Sequence, residues 1–159
     1  DKLEDSTLDE DKLLEAATMA LCWSRAWAGG GAHGTVYSVK PAQVSKTANT
    51  GEFVGKGAFI VRGQRKWFKD LDVKIGIGIV AINGVPLLMG GTPSTIKNIC
   101  KRYAILAPGL TKKEQLANKI YKNTGLITDD ILGILPGAGE IIEDYGIFSP
   151  PKQIEQEEE

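Results

Sequence analysis

Between Asp72 and Ile82 the chain alternates so strictly that few local structures suit it. Val73, Ile75, Ile77, Ile79 and Ala81 fall on one face of an extended strand, where side chains repeat every two residues. Gly76 and Gly78 fall on the other face, which is left bare for close approach by another backbone. Asn83-Gly84 follows at once. Both residues accept the positive φ of a two-residue hairpin turn, so the chain is expected to return through Val85–Met89. This hairpin sets a largely antiparallel sheet in the fold.

The flanking segments supply helices. Thr7-Leu-Asp-Glu10 is a capping box and predicts a helix running to about Trp27. Its apolar face is Leu13, Ala16, Ala17, Ala20, Leu21, Trp23 and Trp27. Its wet stripe is Asp11, Glu15, Thr18, Cys22 and Arg25. A Gly-rich loop leads to strand Thr35–Val39, broken by Pro41, and then to turn chemistry at Lys46–Gly51. Phe53-Val54 and Ala58–Arg62 are expected as short strands. After the hairpin, Thr92 caps and Pro93 opens a helix with the stripe Ile96, Ile99, Cys100 and Tyr103. Ile105–Ala107 reads as a short apolar link ending at Pro108-Gly109. Thr111-Lys-Lys-Glu114 is a second capping box, for a helix to about Asn123 stopped by Gly125. Thr128–Leu135 reads as a short helix.

The expected fold is therefore α+β, a mainly antiparallel twisted sheet packed by the N-terminal helix, with a small helical C-terminal subdomain. In this division 1–9 is a frayed polar terminus, 10–90 the main domain, 91–148 the helical subdomain and 149–159 an acidic disordered tail. At 159 residues and 42% hydrophobic content the chain can bury a sizeable core. No apolar run reaches the roughly 18 residues that cross a bilayer, and no membrane partner is expected. The chain does not begin with Met and reads as a piece of a longer protein or a processed form. Cys22 and Cys100 match no metal or redox spacing, which suits a reducing cytoplasm, and read as small buried hydrophobes.

The net charge of −1 conceals a split. Residues 37–122 carry 15 Lys and Arg against 4 Asp and Glu, a balance of +11, while 1–36 balance to −4 and 123–159 to −8. A basic middle with aromatics set into it is the footprint of a polyanion-binding surface, and phosphate backbone is the commonest such partner. The sharpest segment is Arg62-Gly-Gln-Arg65-Lys66-Trp67-Phe68-Lys69, with four cations and two aromatics in eight residues around an expected turn. Guanidinium forks grip phosphate bidentately, and an exposed Trp67 can stack a base. The plainer alternative is a solvated turn with Trp67 or Phe68 in the core. Lys97, Lys101, Arg102, Lys112 and Lys113 extend the basic surface if the fold brings their helices alongside.

Catalysis finds little support. The single histidine, His33, lies in a Gly-rich loop with no nucleophile assignable to it, and no metal spacing is present. Asp129-Asp130 falls where acids complement a helix dipole. Gly29, Gly31 and Gly34 match G-x-G-x-x-G, but a helix precedes them and a strand follows, the reverse of a dinucleotide site. Gly90-Gly91-Thr92 is better placed to receive a phosphate, although an ordinary helix start explains it too.

Val36-Tyr37-Ser38-Val39-Lys40-Pro41, Gln43–Thr47, Gly51-Glu52-Phe53 and Gly57–Gly63 closely resemble the NFACT-R module of the NFACT ribosome quality-control factors. The wording is nearest the archaeal and eukaryotic branch and covers roughly 10–90, including Trp23-Ser24 and Ala26-Trp27. Gly91–Ile96, Tyr103, Pro108-Gly109 and Lys112-Lys113 resemble, more weakly, the NFACT-C segment. Ser38 stands where the family often has Trp, and Trp67-Phe68 where it has an aliphatic or tyrosine. The resemblance implies an RNA-binding module of a factor that binds the large ribosomal subunit carrying a stalled, tRNA-linked chain and recruits tRNA. It carries over no catalytic residue.

Together these readings predict a non-enzymatic, cytoplasmic RNA-binding module for tRNA or rRNA, with no cofactor and no metal. Its contacts would be Lys46, Arg62, Arg65, Lys66, Trp67, Lys69, Lys101, Arg102, Lys112 and Lys113. The alternative is a protein-interaction module whose basic surface docks an acidic partner or the chain's own glutamate tail.

Overall fold

The computed structural model describes residues 9–152. Helix α1 (Glu10–Cys22) opens on Asp9, whose carboxylate accepts from the Asp11 N–H at 3.3 Å. Thr7, the expected cap, lies outside the described residues. The helix also stops short of Trp27. Ser24 breaks it by donating to the Leu21 carbonyl at 2.7 Å and accepting from the Ala26 N–H, which caps a second, four-residue helix α2 (Arg25–Ala28). The break turns Trp27 into the core, with its indole N–H on the Ala138 carbonyl at 2.8 Å. Cys22, assigned to the wet stripe, is instead fully buried against the chain at Asp72 and Lys74.

Strand β1 (His33–Ser38) pairs antiparallel with β4 (Lys66–Asp72). Between them a 3₁₀ turn (Pro41–Gln43) leads into a two-residue ladder of β2 (Val44–Ser45) and β3 (Ile60–Val61). Phe53-Val54, expected as a strand, is irregular. The basic cluster does not sit wholly in a turn either: from Lys66 onward it is strand β4.

The second sheet has four antiparallel strands in the order β6-β5-β7-β8. Strand β5 (Ile75–Ile82) turns through Asn83 and Gly84, at φ 51° and 77°, into β6 (Val85–Gly91). Both values are positive, as a type I′ hairpin requires. The expected strand 72–82 is divided, because Asp72 closes β4 and the chain bends at Val73-Lys74 before β5. Helix α3 (Pro93–Ile99) starts on Thr92, as expected. It packs on the bare glycine face. A Cβ at Gly76 would stand 2.7 Å from Ile96 Cβ, and one at Gly78 would stand 2.5 Å from Cys100 Sγ. Side chains of a short helix, rather than another backbone, fill that space. Of the expected stripe only Ile96 and Cys100 are buried; Ile99 is exposed, and Tyr103 already belongs to the next strand.

That strand, β7 (Arg102–Thr111), contains the supposed link at Ile105–Ala107. Ala104 to Ala107 are all buried because β7 is central and covered on both faces, so the segment lacks the alternation that marks a half-exposed strand. Helix α4 (Lys113–Thr124) begins beyond the proposed Thr111 cap, which is the last residue of β7, and ends on Gly125 at φ 72°. Helix α5 (Thr128–Ile134) follows, and then β8 (Gly139–Tyr145), an edge strand on β7.

The main core lies on the sheet face opposite α3. Ala17 and Leu21 of α1, Leu116 and Ile120 of α4, and Ile131 of α5 close over Ile75, Ile77, Ala104 and Leu106. Each large aliphatic side chain buried there contributes roughly 1.5–3 kcal/mol. The class is α+β with antiparallel sheets, and α1 packs against the core as expected. No helix among the described residues is long and apolar enough to cross a membrane.

Candidate nucleic-acid interface

The β1–β4 ribbon has a dry face and a wet face. Val36 and Phe68 are opposite one another on the dry face. Leu71 joins them although it is three residues from Phe68, an odd spacing that should reverse its direction. A bulge resolves this: Gly34 faces Leu71 and Val36 faces Phe68, so Thr35 stands against both Lys69 and Asp70, with Asp70 at φ 54°.

The wet face carries the aromatics. Tyr37 and Trp67 are cross-strand partners, with ring centroids 5.2 Å apart and planes at 64°. They are 41% and 54% exposed. Arg65 lays its guanidinium 5.0 Å from the Tyr37 ring centroid. By strand alternation Lys69 shares Trp67's side, and it is exposed. Lys66 points the other way, over the Phe68 ring and into an ion pair with Glu10 of α1. Of the two fates open to the aromatics, Phe68 takes the core and Trp67 takes solvent.

Arg62 and Lys46 adjoin this ribbon through Gln43. The Gln43 amide donates to the Arg62 and Gln64 carbonyls at 2.9 and 2.7 Å, and its oxygen accepts from the Lys40 N–H at 2.9 Å. One side chain thus holds the turn at Gly63, φ 82°, against the start of the 3₁₀ turn. Arg62 is bidentate to Glu52, at 3.1 and 2.6 Å. The Arg62 hydrogen bonds, helped by the Asn49 N–H, hold the Glu52 carboxyl below its ordinary pKa. The pair is exposed and screened, so a phosphate can compete for the guanidinium. Lys46 sits 5.1 Å from the Phe59 ring centroid.

The remaining predicted residues lie elsewhere. Lys101 precedes β7 and Lys112 follows it, and a ten-residue strand separates them by about 33 Å. Lys101, Lys112 and Lys113 have no carboxylate within salt-bridge distance among the described residues. Arg102 is committed to structure: Nε and Nη2 donate to the Gly146 carbonyl at 3.1 and 2.6 Å. Lys97 pairs with Glu143 at 3.2 Å. The structure therefore gathers Arg65, Trp67 and Lys69, with Arg62 and Lys46 beside them, and leaves Lys101 at one end of β7 and Lys112 and Lys113 at the other.

Tyr37, Phe53 and Phe59 were not among the predicted contacts. The signal for Tyr37 was its place opposite the half-buried Val36 in strand alternation. For the phenylalanines it was the glycines around them, at 51, 55 and 57, which leave no rigid element to bury a ring.

The other candidates resolve into structure. The Thr92 hydroxyl donates to the Glu15 carboxylate at 2.6 Å, so a carboxylate already stands where Gly90-Gly91-Thr92 would receive a phosphate. Gly34 is needed for packing, since a Cβ there would lie 2.5 Å from Leu21 Cδ1. Asp144 accepts from the Ile147, Phe148 and Ser149 N–H groups and so pins the chain after β8. His33 Nδ1 lies 3.0 Å from Asp72, both at the exposed end of the ribbon.

Residues 2–63 match the family model described as the NFACT protein RNA binding domain. Over 146 residues the chain is 32% identical to the archaeal Rqc2 homolog aRqcH of Methanocaldococcus jannaschii, which covers 89% of this chain and 22% of that protein. Over 68 residues it is 37% identical to the ribosome quality control complex subunit NEMF homolog of Drosophila melanogaster and 38% identical to NEMF of Homo sapiens. Those matches take in 43% of this chain and 7% and 6% of the relatives. The chain thus spans about a fifth of the archaeal relative and far less of the animal ones. No solved structure matches. The family match ends at Gly63, so the likeness of 91–148 to NFACT-C is not part of it. The motifs around Tyr37, Gln43, Glu52 and Arg62 fall inside the matched residues, and the chain belongs to the NFACT family.

Proposed function

We propose that this chain is a non-enzymatic RNA-binding module of a cytoplasmic ribosome quality-control factor, and that its ligand is tRNA or the rRNA of a stalled large ribosomal subunit. The observation that carries the reading is the exposed Tyr37–Trp67 pair with Arg65 over it, on the wet face of a ribbon whose other face is buried. Rings of that size in water are anomalous in a core-forming strand and useful to a base. Arg65, Lys69 and Lys46 supply phosphate contacts, and Arg62 joins them when phosphate displaces Glu52. Lys101 at one end of β7, and Lys112 and Lys113 at the other, would meet separate stretches of a large RNA. The names of the relatives support the ribosomal setting. Gel shift with tRNA at physiological salt tests it. Replacing Arg62, Arg65 and Lys69 together by Ala should abolish the shift, and an unchanged shift would refute the site.

A further inference from the structure

The segment between β2 and β3 exposes rings that no core uses. Phe53 is 92% and Phe59 57% exposed. Gly51 and Gly57, at φ 86° and 80°, turn the chain around them with open space where a Cβ would be. The charges between Lys46 and Phe59 are Lys46, Lys56 and Glu52, and Glu52 is neutralised by Arg62. Phe59 with Lys46 thus repeats the ribbon's arrangement of Tyr37 with Arg65, a cation about 5 Å from an exposed ring. The two arrangements are joined by the short run from β3 to β4, which Gln43 holds at both Arg62 and Gln64.

We infer that these are two stacking stations for one single-stranded RNA segment. One unpaired base stacks at Tyr37–Trp67 and another at Phe59 with Phe53, while Arg65 and Lys46 meet the phosphates. This rests on the RNA-binding reading above and narrows it to unpaired nucleotides. An A-form duplex keeps its bases stacked inside and offers phosphates and 2′-hydroxyls, to which exposed rings add little. A splayed strand offers base faces, and each face laid on an aromatic strengthens binding by about tenfold. The contact tolerates any base, since every base has a π-face.

Fluorescence anisotropy with the intact chain tests this, using a labelled short oligouridylate and an RNA duplex of equal phosphate count. The oligouridylate should bind more tightly than the duplex. Phe53→Ala with Phe59→Ala, and separately Tyr37→Ala with Trp67→Ala, should each weaken oligouridylate binding by about tenfold or more and leave duplex binding and salt dependence as they were. Trp67→Phe should restore most of the loss. The phenylalanine pair touches no core, so its effect cannot be ascribed to unfolding. If both aromatic variants bind oligouridylate like the parent while Arg65→Ala with Lys69→Ala weakens both RNAs, RNA binding stands and the stacking stations are refuted. If the parent binds neither RNA, the RNA-binding reading itself falls.

Discussion

Gly78→Ala is the sharpest test of how the glycine face of β5 is used. The added methyl would stand 2.5 Å from Cys100 Sγ, 2.7 Å from Cys100 Cβ and 3.1 Å from Ile96 Cγ2. These atoms cannot swing away, because α3 is held by Thr92 at one end and by β7 at the other. Alanine in place of a strand glycine gains roughly 0.5–1 kcal/mol of backbone entropy. Overpacking a filled site costs about 1–3 kcal/mol. Three contacts between 2.5 and 3.1 Å put the cost in the upper part of that range, about 2–3 kcal/mol, so the clash wins by about 1–2.5 kcal/mol, or about 2–10 °C in Tm for a chain of this size. Urea denaturation should show a lower midpoint at an unchanged slope. Adding Cys100→Ala removes the nearest clashing atom, so the double variant should be more stable than the summed single effects, by at least about 0.5 kcal/mol. Gly133→Ala is the control: its site in α5 has nothing within 4 Å, and the helix should gain up to about 1 kcal/mol. A Gly78→Ala variant as stable as the parent, or strict additivity with Cys100→Ala, would refute the packing argument.

Gln43→Ala removes three hydrogen bonds that hold the turn beside Arg62, each contributing about 0.5–1.5 kcal/mol. Amide exchange should accelerate across 40–45 and 60–65 while exchange in β5 and β7 is unchanged, and RNA affinity should fall with the cations all present. Burial pushes the Cys22 thiol up to about 11. It should therefore resist alkylation in the native chain at pH 8 and react only on unfolding. Because the folded state holds this proton more tightly than the unfolded chain, stability should decline as pH rises from about 9 towards about 11, an effect that Cys22→Ala removes.

Local chemistry was legible where it acts on neighbours in the chain. Asn83-Gly84, Thr92-Pro93 and Gly125 each dictate their own backbone, and each does what its residue type requires. The glycine face of β5 was legible as a space to be filled, but what fills it depends on where α3 returns in three dimensions. Strand β7 was hidden because burial on both faces erases alternation. Strand β8 was hidden because Glu140, Glu143 and Asp144 give an edge strand the look of a polar loop. The basic excess between 37 and 122 was visible as a sum, yet charge in sequence carries no address: carboxylates of α1 and β8 claim Lys66 and Lys97, and a carbonyl claims Arg102. The Trp67 side of the site was readable, since period two separates Trp67 from Phe68. The bulge at Asp70 that keeps both Phe68 and Leu71 in the core was not.

Titrating labelled tRNA with the chain across a potassium chloride series probes the electrostatic account most directly. With Arg65, Lys69, Lys46 and a released Arg62 each meeting a phosphate, log Kd should rise along log salt with a slope of at least roughly 3, steeper by the contacts of Lys101, Lys112 and Lys113, and Arg65→Ala should lower that slope by about one. A flat line, or one that Arg65→Ala leaves as steep as before, would contradict the claim that this ribbon is where the molecule meets nucleic acid.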